Sequence, residues 1–123
     1  MAKTVKVLDF TGALSEIESG IKKLVDHMVS DMAAWYVRSN TGEEYAKRRV
    51  QEYKDSVRVE IGSKYYKIVI DGSVKGFVQR EADTKFSSGA MLKAAGFNAP
   101  AKNFARGNVF DGNFMRATWT GVQ

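Results

Sequence analysis

The chain of 123 residues contains no cysteine, one proline and one histidine. Without cysteine, thiolate zinc sites, disulfide scaffolds and thiol nucleophiles are excluded, and the redox compartment is left undetermined. With His27 as the sole imidazole, a zinc site would rest on carboxylates, a poor match to that metal. A Ser-His-Asp triad would need His27 too, and no G-x-S-x-G turn exists to carry its nucleophile. The phosphate-cradling patterns G-x-x-x-x-G-K-[ST] and G-x-G-x-x-G are also missing. Acids are scarce after residue 61: only Asp71, Glu81, Asp83 and Asp111 occur. Asp71 and Asp111 fall in turn sequences, which leaves no acid pair for glycosidic chemistry. The expectation is a non-catalytic protein with no cofactor and no metal, a carboxylate-and-lysine site assembled in three dimensions staying open. No apolar run approaches the ~20 residues of a membrane span. The opening MAKTVKVLDF lacks the apolar region of a secretory signal. Both absences point to a cytoplasmic protein with no membrane partner.

What is present suits one folded domain spanning residues 1–123. Apolar residues make up 44% and charged residues 27% of the chain, enough for a core without metal or disulfide support. The net charge is +5, and its distribution matters more than its size. Met1 to Ile61 holds ten Lys or Arg against ten Asp or Glu, whereas Gly62 to Gln123 holds nine against four. If that surplus gathers into one exposed patch, nucleic acid or an acidic protein is the matching partner.

The segment Ser56–Glu81, SVRVEIGSKYYKIVIDGSVKGFVQRE, organises the rest. Val57, Val59 and Ile61 alternate with Arg58 and Glu60, the period of a half-buried strand. Tyr65–Ile70 and Val74–Val78 supply two more strands. Between them Asp71-Gly72 accepts the positive φ angles of a tight hairpin. A three-stranded antiparallel meander is predicted, with Val5–Phe10 adding a short edge strand. Left unpaired, that edge would allow a homo-oligomer.

Two helices precede the meander. Leu14, Ile17, Ile21, Leu24, Val25, Met28, Met32, Trp35 and Tyr36 form one apolar stripe of a long first helix. Thr11, or Ser15 with Glu18 in a capping box, starts it, and Ser39-Asn40 ends it. His27 lies on the polar side in line with Lys23 and Asp31, which predicts a solvent-facing imidazole. Thr41 and Glu44 form a second capping box for a helix to about Lys54, burying Tyr45, Ala46, Val50 and Tyr53. Glu43–Lys47 and Glu44–Arg48 offer i,i+4 ion pairs. After the meander, Ser87 or Ser88 caps a short third helix containing Met91 and Leu92, with Gly96 at its end. Asp111-Gly112 then turns a closing hairpin whose last strand is Phe114–Thr120. The fold class is α+β, with two N-terminal helices packed on an antiparallel sheet, a short third helix and a C-terminal hairpin.

The stretch with functional texture is Phe97–Trp119. It interleaves Phe97, Phe104, Phe110, Phe114 and Trp119 with Lys102, Arg106 and Arg116, plus Asn98, Asn103, Asn108 and Asn113. Proteins that hold single strands stack bases on exposed rings while basic side chains track phosphates. Lys102, Phe104, Arg106 and Arg116 are accordingly the candidate nucleic-acid contacts, single- or double-stranded. The competing expectation places the rings in the core and the basic groups on its wet rim.

Two resemblances add to this. Helix, three antiparallel strands, helix over Glu43–Gly96 is similar in order to the double-stranded-RNA-binding domain. It departs from that family where a K-K-x-x-K cluster would stand, since SSGAMLKAAG offers Lys93 alone, and its last helix is too short, so that family is not adopted. The phrases GAMLKAAGFNAPAKNFARGNVFDG and RATWTG, within Lys85–Gly121, resemble small uncharacterised proteins of tailed bacteriophages. That resemblance implies a host bacterial cytoplasm and an accessory role: nucleic-acid binding, or a protein-interaction module such as a host-factor inhibitor or virion component. It carries over no catalytic residue.

Overall fold

Asp71 and Gly72 take φ angles of 54° and 71°, the left-handed pair that closes a two-residue hairpin with the twist of its strands. In the computed structural model, which describes residues 5–123, this turn joins β3 (Tyr65–Ile70) to β4 (Ser73–Gln79). Ahead of them lie β1 (Lys6–Val7) and β2 (Arg58–Ile61). With β5 (Met91–Leu92) they form a five-stranded antiparallel sheet in the order β1-β2-β3-β4-β5. The registers Ile61↔Tyr66, Val59↔Ile68 and Tyr66↔Val78 place one apolar row under the helices. The meander and its added edge strand stand as the alternation predicts.

The helix α1 (Glu16–Arg38) begins at Ser15, whose hydroxyl accepts from the Glu18 amide while the Glu18 carboxylate accepts from the Ser15 amide. Ile21, Leu24, Val25, Met28, Met32 and Tyr36 are buried on its sheet side. Each such residue contributes about 1.5–3 kcal/mol by leaving water. Gly20, unfavourable in a helix by about 1 kcal/mol against Ala, has a packing reason. A Cβ there would lie 2.8 Å from the Val109 carbonyl oxygen, so the returning chain crosses α1 at the one residue lacking a side chain. The helix α2 (Glu43–Asp55) starts at Gly42 with no side-chain cap. The Thr41–Glu44 box does not form, because the short connection directs the Thr41 amide to the Tyr36 carbonyl. Tyr53 is buried as expected, but Tyr45 is exposed. Glu43–Lys47 pairs at 3.0 Å, whereas Arg48 and Arg49 both turn to Glu52.

The predicted short third helix is a strand. Met91–Leu92 pairs with Val78 and Phe77 of β4. On its other side the Met91 amide donates to the Gly107 carbonyl and the Arg106 amide to the Met91 carbonyl, both at 2.8 Å. Lateral hydrogen bonding on both sides overrides a local helical pattern only a few residues long. The order shared with the double-stranded-RNA-binding domain disappears with that helix. The closing hairpin also lies later than predicted. It consists of β6 (Ala117–Thr118) and β7 (Gly121–Val122), and it turns at Trp119-Thr120 rather than at Asp111-Gly112.

The helices hold that hairpin through polar groups. His27 Nε2 lies 3.0 Å from the Ala117 carbonyl; a carbonyl only accepts, so this nitrogen carries a hydrogen. Asp31 accepts from the Trp119 amide at 2.9 Å, and the Tyr53 hydroxyl donates to the Trp119 carbonyl at 2.8 Å. His27 is therefore half-buried and not solvent-facing. Its ring also packs 5.5 Å from that of Phe114.

Candidate nucleic-acid interface

The outer face of the sheet, away from the helices, carries a second core cluster of Phe77, Phe86, Ala90 and Leu92. Beyond β5 the chain runs outward and returns, bridged at Ala94↔Pro100 and Ala90↔Asn108. This loop presents two exposed rings, Phe97 and Phe104, at 58% and 46% exposure. Each ring has a cation against it. Lys67 Nζ, on the outer face of β3, sits 3.6 Å from the Phe97 centroid. It also donates to Asn98 Oδ1 at 3.0 Å and lies 4.0 Å from Glu60.

At Phe104 the arrangement is denser. The Arg106 guanidinium carbon lies 3.9 Å from the ring centroid and that of Arg116 5.3 Å away. Arg106 is 8% exposed, tied to β5 by its amide. Its Nη1 donates to Asn103 Oδ1 at 2.8 Å and to the Phe104 carbonyl at 2.9 Å. A desolvated cation–π contact contributes about 2 kcal/mol, and charge-assisted bonds to carbonyl oxygens add to it. Arg106 thus holds Phe104 in one orientation. Arg116 is exposed and donates to the Gln123 carbonyl at 3.3 Å. A cavity of about 360 Å³ opens here, lined by Phe104, Ala105, Arg106, Asn113, Met115 and Arg116.

Three of the four residues singled out from the sequence, Phe104, Arg106 and Arg116, therefore meet. Lys102 is exposed on the same loop but does not line the cavity. Arg106 is not the free basic rim that the pattern predicts; it is the buried support of the ring. The five aromatics divide between the two expectations. Trp119 packs on Trp35 and Tyr53, with centroids 5.4 and 6.5 Å away, and Phe114 packs against the main core. Phe97, Phe104 and Phe110 are exposed. The expected single basic patch is divided as well: Lys64 and Lys67 line a separate groove beside β2 and β3, while Lys75 is drawn below its ordinary pKa by burial.

Sequence reasoning did not single out Lys67, and it placed Asn103 and Asn113 in the stretch without a role. Lys67 was readable once Ile61↔Tyr66 fixes the register, because Glu60 then faces it. Asn103 and Asn113 owe their roles to loop geometry that no periodicity encodes.

Among the described residues no group of three or more His, Cys, Asp or Glu side chains converges for a metal, and no helix is long and apolar enough to cross a membrane. Comparison with known proteins finds no matching family model, no matching characterised protein and no matching solved structure.

Proposed function

We propose that the chain is a small accessory protein of the tailed-bacteriophage type that binds single-stranded nucleic acid without catalysis. The observation that carries this reading is the Phe104 ring, half exposed and fixed by two guanidinium groups beside a cavity. A ring already ordered by Arg106 loses little further freedom when a base stacks on it, which keeps binding energy available. Arg116 and Lys102, both exposed, are placed to meet phosphates. Single strands fit better than duplex, since only unpaired bases present a face to an aromatic side chain.

The test is fluorescence anisotropy of labelled single- and double-stranded oligonucleotides with the wild-type chain and Phe104→Ala. Single-strand binding that weakens in the variant supports the proposal. Absence of binding to either form removes it and leaves the protein-interaction module.

A further inference from the structure

Arg106 has a feature that supporting Phe104 does not require. Its Nε is buried and has no hydrogen-bond acceptor. Among the described residues no carboxylate lies within ion-pair distance of its guanidinium. A desolvated cation without a counter-charge is costly. The Phe104 face and two carbonyl oxygens offset only part of that cost, and only through Nη1 and the π surface. The Nε side of a guanidinium is one of the edges that meet carboxylate or phosphate in two parallel bonds. Here it is unused, and the residue lines the 360 Å³ cavity that a second, exposed guanidinium also lines. One wall of that cavity is Met115, 87% exposed, an unbranched and adaptable side chain able to move aside for an entering group.

We propose that this cavity is an oxyanion subsite in which Arg106 and Arg116 together hold one phosphate group, Arg106 through its unpartnered Nε–H. The inference rests on the strand-binding reading for the source of that phosphate, namely a phosphodiester next to the base stacked on Phe104; free inorganic phosphate shares the chemistry. The anion supplies the counter-charge that the protein does not, and Asn103 and Phe104 keep the guanidinium oriented for it before it arrives.

The arginine Nε–Hε resonances of the full-length ¹⁵N-labelled protein report on the subsite directly. Inorganic phosphate is titrated first and a single-stranded oligonucleotide second, with sodium chloride at matched ionic strength as control. The Arg106 signal, assigned by its loss in Arg106→Lys, is expected to shift saturably with phosphate and with the strand, and not with chloride. Arg116→Gln, an exposed change that leaves the fold intact, is expected to weaken phosphate binding several-fold. A shift with phosphate but no strand binding keeps the subsite and removes the strand as its source. Strand binding with an unmoved Arg106 signal overturns the subsite and leaves the strand-binding proposal standing. An Arg106 signal unmoved by either titrant overturns it as well.

Discussion

The two halves of the chain treat their positive charges differently. Every ion pair among the described residues includes a residue from the first sixty: Lys22–Asp26, Glu43–Lys47, Arg48 and Arg49 with Glu52, Arg49–Asp71, Arg58–Glu60 and Lys67–Glu60. In the second half five of the nine cations rest on rings, against Arg48 on Tyr45 in the first. Lys67 lies on Phe97, Arg80 on Tyr66, Lys85 on Phe86, and Arg106 and Arg116 on Phe104. A carboxylate neutralises a cation; a ring leaves its charge available to a third party. The first half, with ten basic residues against ten acidic ones, is in this sense closed, and the second, with nine against four, is open.

Damage to the closed half should lower stability and spare binding. Leu24→Ala empties a fully buried site on α1 and is expected to cost about 2–5 kcal/mol in urea denaturation, with strand affinity per folded molecule unchanged. Phe104→Ala is the opposite case. It should reduce strand binding by about 1–3 kcal/mol while the urea midpoint moves less than for Leu24→Ala.

Tyr53 joins the two regions, because its hydroxyl donates to Trp119 in the closing hairpin. Tyr53→Phe removes this bond for about 1 kcal/mol. Burial raises the Tyr53 phenol above its ordinary pKa of 10.0, with the nearby charges of Asp71 and Asp31 adding to the shift. The folded chain then keeps its proton at pH values where the unfolded chain has lost it. Stability is intact below about pH 10 and falls as pH rises beyond it. Denaturation across that range should show a shallower alkaline loss in Tyr53→Phe, the remainder coming from Tyr66, which burial raises in the same direction. The smallest effect belongs to Glu52→Gln. Arg48 and Glu52 itself are largely solvated and Arg49 is partly exposed, so a few tenths of a kcal/mol, weakening in high salt, is expected from denaturation.

Legibility in the sequence followed the range of the interactions. The meander, both helices and the Ser15 capping box were readable because alternation, the apolar stripe and cap chemistry act over a few residues. The strand at Met91–Leu92 was not, since its partners are Phe77 and Val78 on one side and Arg106 and Gly107 on the other, well outside the local pattern. His27 was misplaced for the same reason: its partner is ninety residues away. At the candidate interface, residue types pointed to Phe104, Arg106 and Arg116. Only the packing against β5 separates the buried Arg106 from the exposed Arg116.

The salt dependence of single-strand affinity tests the open half most directly, with wild type and Arg116→Gln compared from low to high ionic strength. If Arg116 meets a phosphate, log K falls linearly with log salt concentration in the wild type, and the variant's slope is shallower by about 0.7. Equal slopes, or an affinity indifferent to salt, would contradict the view that these ring-bound cations are held in readiness for a polyanion.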